Sequence, residues 1–200
     1  MFALVESGSI TKMLNGNRGI TLNDLQYPRA IYTLWTEAER NAIGIYTIEY
    51  DDSNKKDKKW YINTNQSFAF ANSKVTATYG TATAKKHADT TWTEEDEDKG
   101  FGTEGEIATR GLKYHLIRQV KEQAAIELNK TDWYITRKAE KNTAIPSAIT
   151  THRNLVRSRQ AAMETSITNA SDTPALETLY TYTTDSDGVT SRPLAEIPNL

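Results

Sequence analysis

The sequence predicts an α+β fold: an N-terminal antiparallel β meander with a short helix, an acidic linker, and a C-terminal helical hairpin. Three observations predict it. Residues 60–79 hold three runs rich in aromatic and β-branched side chains, separated by turns of two or three residues. Residues 112–128 place an apolar side chain at every fourth position, and residues 149–170 repeat one by sevens. Between the two halves apolar residues thin out and acids collect. The expected divisions are a β-rich domain over 1–80, an acidic linker over 81–102, a helical domain over 103–181 and a flexible polar tail over 182–200.

Taken in order, residues 2–14 alternate apolar and polar side chains, as short strands do. Asn15-Gly16-Asn17-Arg18-Gly19 then turns the chain, because these residues accept positive φ. Ile20-Thr21-Leu22 and Leu25-Gln26-Tyr27 read as two short strands about a turn at Asn23-Asp24, ended by Pro28. Thr36-Glu37-Ala38-Glu39 is a capping box: the Thr36 hydroxyl accepts an amide of the first turn, and Glu39 reaches back to the Thr36 N–H. The helix it starts stops near Gly44, a residue suited to the left-handed cap. A strand over 45–50 puts Tyr46, Ile48 and Tyr50 on one face, and the charged loop 51–59 follows. The three strands beyond it are expected to pack Tyr61, Phe68, Phe70 and Tyr79 against the Thr36 helix. Their lysines, Lys55, Lys56, Lys58 and Lys59, cluster in the loop and do not interleave with the aromatics. A nucleic-acid surface needs that interleaving, so no nucleic-acid partner is expected.

The linker carries Trp92, which either anchors it on a neighbouring lobe or reaches a partner. Thr103-Glu104-Gly105-Glu106 reads as a second capping box opening a long helix with Leu112, Leu116, Val120, Ala124 and Leu128 on its buried stripe. A shorter helix starts at Asp132-Trp133-Tyr134, capped by Thr131 or Asp132. Pro146 suits the first turn of the next helix, whose stripe runs through Ile149, Val156, Met163 and Ala170 with Leu155, Ala162 and Ile167 beside it. A last short helix follows Pro174. Two striped helices joined by a short one imply an antiparallel hairpin.

The net charge of −2 hides a segregation. Residues 89–106 hold eight acids against one base, a net of −7, and residues 107–163 hold eleven bases against four acids, a net of +7. Either the acidic linker screens the basic helices within the chain, or the basic surface meets an acidic partner. The 38% hydrophobic content and mean hydropathy of −0.64 imply a modest core.

Little in the sequence points to chemistry. There is no cysteine, hence no disulfide, thiolate metal site or cysteine nucleophile. His87, His115 and His152 stand apart, without ligand spacing to an acid or to one another, so no metal is expected. Asp185-Ser186-Asp187-Gly188 looks like part of a calcium loop, but Leu194 stands where the bidentate glutamate belongs. No hydrolase elbow, phosphate-cradling glycine loop or metalloprotease motif is present. The expectation is a non-enzyme with no catalytic residues and no cofactor. The five-residue apolar start at Phe2 reads as a strand, neither a signal peptide nor a membrane span, and no membrane partner is expected.

The runs DWYITRKAE, TAIP and HRNLVRSRQ between Asp132 and Tyr180 resemble the C-terminal part of bacteriophage tail proteins related to the tail-fibre assembly chaperones, of the marine-phage type. LNGNRGITLNDLQYP, LWTEAERNAIGIY and WYINTNQSFAFANSKVTATYG resemble their N-terminal half more weakly. Proteins of this family help trimeric fibres fold, and in some phages they stay on the fibre. The resemblance implies an assembly chaperone or minor structural or adaptor component of the virion tail. It would bind a tail fibre or baseplate protein, with homo-oligomer contacts in the assembly, in the virion tail or in the host cytoplasm during assembly.

Trp133, Tyr134, Arg137 and Trp92 are the candidate partner-binding residues, since Trp, Tyr and Arg are enriched at binding hot spots. Trp133 is expected to plug the hairpin, leaving Tyr134 and Arg137, three apart on one helix face, outward. The alternative is a carbohydrate- or host-surface-binding module using Trp60, Tyr61 and Trp92. A third reading, an enzyme on cell-wall polymer, requires a carboxylate pair in a cleft.

Overall fold

Ser7-Gly8, Asn23-Asp24 and Asn72-Ser73 hold positive φ at both residues, as two-residue hairpins with the right-handed twist of strands require. They join β1 (Phe2–Glu6) to β2 (Ser9–Leu14) and β3 (Ile20–Leu22) to β4 (Leu25–Tyr27). The helices α1 (Ile31–Leu34) and α2 (Glu37–Ala42), then β5 (Ile45–Asp51) and β6 (Tyr61–Ile62), lead to the third hairpin, β7 (Gln66–Ala71) and β8 (Lys74–Tyr79). The Thr36 capping box forms as expected, with the Glu39 carboxylate 2.7 Å from the Thr36 N–H. The computed structural model describes residues Met1–Leu200 as two compact units, Met1–Thr83 and Ala84–Leu200. β9 (Thr83–Ala84) lies at their boundary.

The α+β class holds, but the first unit is not a pure meander. Its five-stranded sheet runs β2-β1-β5-β8-β7, and β5 pairs with β8 in parallel, Ile48 opposite Val75. The loop after β5 is too long and charged for a tight hairpin, so the chain passes β5 by and returns through β7. β8 then slots in between β5 and β7, with Val75 and Ala77 fully buried. Strand alternation sends Ala3 and Val5 to one face, with Ile48, Val75 and Ala77 under Tyr46, Phe68 and Phe70. Leu4 goes to the other face with Leu14, Ile31, Tyr32 and Ile45, roofed by Phe2, Tyr27 and Trp35. Phe68 and Phe70 thus close on this core, Phe70 with its ring centroid 4.8 Å from that of Tyr46, and not on the Thr36 helix. That helix buries none of its residues. Tyr50 keeps the strand face of Tyr46 and Ile48, opposite Ala77, yet is exposed.

In the second unit β10 (Thr90–Thr91), α3 (Glu94–Asp98) and β11 (Ile107–Thr109) precede α4 (Leu112–Asn129), α5 (Asp132–Lys141), α6 (Ser147–Asn169) and α7 (Thr173–Tyr180). The hairpin β12 (Thr183–Thr184) and β13 (Thr190–Ser191) follows. α4 and α6 are antiparallel: Lys113 Nζ donates to the Thr168 carbonyl, Lys121 pairs with Glu164, and Glu127 meets His152. Leu116, Val120 and Ala124 face Val156, Met163 and Ile167, all buried. Each such Leu, Val or Ile contributes about 1.5–3 kcal/mol by leaving water. Leu155 and Ala162, expected beside the stripe, are exposed, because an adjacent position already turns about 100° away from it.

Three expectations are corrected here. The stretch 81–102 is no free linker: β10 pairs with β11, and the carbonyls of Lys86 and His87 accept the Leu112 and Lys113 N–H groups. Asp89 accepts the Gly111 N–H at 2.7 Å. Those residues supply the partners that the first turn of α4 lacks. The α4 helix accordingly begins at Leu112 and not at Thr103. Gly105 sits at φ 81°, in the left-handed region, and Thr103–Glu106 forms a turn. The capping box in this region is Thr93 with Asp96, at the start of α3. Lastly, the polar tail is held: Leu194 is 1% exposed and its N–H bonds to the Leu179 carbonyl. No helix of the chain is long and apolar enough to cross a membrane.

Candidate partner-contact surface

α5 owes its start to α6. Arg153, buried on the α6 stripe, donates to the Leu128 carbonyl at 2.8 Å and the Thr131 hydroxyl at 2.7 Å, and pairs with Asp132 at 2.8 Å. The Thr131 hydroxyl is thereby turned to the Leu128 carbonyl and caps nothing. Neither Thr131 nor Asp132 is the side-chain cap that was expected. Asn142 closes the helix in the left-handed conformation, and Lys138 and Lys141 stand in its last turn, where cations are favoured by the helix dipole.

No residue of α5 is buried. On its surface Trp133 and Tyr134 lie with ring centroids 3.7 Å apart, and the Arg137 guanidinium sits 4.8 Å from the first ring and 5.1 Å from the second. Spacings of four and three residues bring Arg137 over both rings. Trp133 is 51% exposed, whereas Tyr134 and Arg137 are half-buried. This reverses the expected arrangement. Trp133 does not plug the hairpin, whose Leu116, Val120, Val156 and Met163 already fill it, and the indole is exposed with the arginine stacked on it. Arg137 makes no ion pair, and its Nε is shut off from solvent without a hydrogen-bond partner.

Trp92 belongs elsewhere. Its N–H bonds to the Glu106 carbonyl and its own carbonyl accepts the Gly105 N–H, so it is part of the β10–β11 hairpin. Its half-buried indole lies on Gly102, where an added Cβ would come within 2.2 Å of Nε1. Trp92 anchors its own segment, and no ring or cation contact joins it to α5. Trp60 and Tyr61, the remaining aromatics of the carbohydrate-binding alternative, are 3% and 5% exposed, buried side chains and no platform.

Sequence reasoning missed a polar node at the end of the hairpin that α5 connects. Glu127, buried on α4, accepts from Lys130 Nζ and from the Leu200 N–H at 2.7 Å, and meets His152 Nε2 at 3.2 Å. The Lys130 bond, then the Leu200 N–H, the Lys130 charge and His152, hold its carboxyl below the usual glutamate range against the opposing effect of burial. With those partners in place the carboxylate fastens three segments, at the wall of a recess of about 350 Å³ that Gln123, Arg192 and Glu196 also line. The signal was there: steps of four, four and three from Leu116 reach Glu127, and steps of four and three from Ile149 reach Arg153 and Val156.

A recess of about 420 Å³ in the first unit, against the Asn15–Gly19 loop, is lined by Lys12, Arg18 and Tyr32 among others, with no carboxylate or imidazole. No three His, Asp or Glu side chains are grouped to hold a metal ion. Comparison with protein-family models, with curated proteins and with solved structures found no match to this chain.

Proposed function

We propose that this chain works by protein–protein contact in a bacteriophage tail, as an assembly chaperone or minor structural component at the fibre or baseplate. The observation that supports contact is α5, a ten-residue helix with no buried residue that displays Trp133 beneath an unpaired arginine. A Trp–Tyr–Arg cluster at half exposure is the composition of a binding hot spot. The tail setting rests on the sequence resemblance over residues 132–180 and, more weakly, over the N-terminal half. Its place would be the virion tail, or the host cytoplasm during assembly. The carbohydrate-binding alternative is weakened by the burial of Trp60 and Tyr61.

Co-expression of the chain with the fibre and baseplate genes of its phage, followed by affinity capture, tests the reading. A fibre or baseplate protein should co-purify, and Trp133→Ala with Arg137→Ala should lose it while the chain stays folded. Absence of any tail protein from the capture, together with absence of the chain's peptides from purified virions, overturns the proposal.

A further inference from the structure

Two surfaces of the second unit are complementary, and within one copy no ion pair joins them. On α5 the cations Arg137, Lys138 and Lys141 form no ion pair, and Asp132 is already engaged by Arg153, which leaves Glu140 as the lone free acid beside exposed Trp133. On α3 the order is reversed: Glu94, Glu95, Asp96, Glu97 and Asp98 follow one another beside Phe101, which is 63% exposed. Within that segment Glu95 pairs with Lys99, Asp96 caps its own helix and Glu97 accepts the Glu104 N–H. Glu94 and Asp98 stay exposed without a cation. The helices of the same copy thus do not neutralise the acidic segment by contact; Arg110 with Asp89 is the one ion pair between residues 89–106 and the bases of residues 107–163.

We propose that α5 of one copy receives the α3–Phe101 surface of a second copy. The proposal rests on the reading of α5 as a contact face and names one occupant of it. An arginine stacked on aromatic rings presents its remaining N–H groups as a fork for a carboxylate. Trp133 and Phe101, one exposed aromatic on each surface, supply the apolar contact at the centre. Because the two surfaces differ, a single contact leaves α5 free on one copy and the α3–Phe101 surface free on the other, so further copies can add head-to-tail. The end copy of such an array keeps an open α5 for a tail protein.

Light scattering and sedimentation of the full purified chain over a concentration series, at low and at high salt, test this. The chain should self-associate with concentration and dissociate as salt screens the exposed charges. Trp133→Ala with Arg137→Glu, and separately Glu94→Lys with Asp98→Lys, should each weaken self-association by about tenfold or more. Circular dichroism should stay that of the parent chain, since none of these side chains is buried. Mixing the two variants should restore a dimer that grows no further, because one keeps a sound α3 and the other a sound α5. A chain that is monomeric at every concentration, or self-association that survives both variants, overturns the inference. If that monomeric chain still captures a fibre or baseplate protein, this inference falls and the functional reading stands.

Discussion

Helix α5 and the segment 182–200 are placed opposite to what their compositions suggest. α5 carries Trp133, Tyr134 and Ile135, yet none of its residues is buried. The terminal segment is polar, yet Leu194 is fully enclosed, its backbone is bonded to Leu179, and Leu200 is bonded to Glu127. The difference lies in what each side chain meets. One leucine with a vacant slot and satisfied backbone groups pins a polar strap, whereas a helix whose neighbours' stripes already face each other finds nothing to bury against.

That contrast can be broken or sharpened by substitution. The largest effect belongs to the hairpin core on which both regions are mounted: Ile167→Ala should cost about 2–5 kcal/mol in urea unfolding, as fully buried isoleucines do. Next, Leu194→Ala should release the strap and leave α4 and α6 folded. A loss of that kind raises the open population by about tenfold or more, so limited proteolysis should cut within 182–200 first. If cleavage there were no faster than in the parent chain, Leu194 would not be the pin.

A smaller effect is expected at Glu127, and it has a sign in pH. Its folded-state pKa lies below its unfolded value, so its contribution is fully present above the unfolded value, about 4.3, and fades as pH falls through the folded one. Glu127→Gln should therefore be destabilising at neutral pH, with the difference from the parent shrinking in acid. A gap that stays constant with pH would sink the assignment. The smallest effect is Trp133→Ala, expected within about 0.5 kcal/mol of the parent; a loss near that of Ile167→Ala would mean the indole is a plug after all.

The sequence made the α+β class, the strand runs, the Thr36 cap and the α4 and α6 stripes legible, because each rests on local periodicity or capping chemistry. What escaped it depends on distant partners. The parallel place of β8 follows from which strand is left unpaired after the charged loop. The stretch 84–91 looks disordered by composition, yet it is ordered by the unsatisfied amides at the start of α4. At the candidate surface the three residues were found together, but their order of exposure was reversed. Helical spacing tells which side chains share a face, and not whether anything faces them.

The parallel pairing of β5 with β8 also bears on the order of assembly. The hairpins β1–β2, β3–β4 and β7–β8 each close over two residues, whereas Ile48 must find Val75 across the whole β6–β7 excursion. Closing a longer loop costs more entropy before any contact rewards it, about 0.6 kcal/mol for each doubling in length. The outer hairpins therefore form early, and the seam through the middle of the sheet zips last. Until it does, β5 and β8 present unpaired backbone to any neighbouring nascent chain. The first unit is thus most prone to aggregate in the interval before β5 and β8 pair.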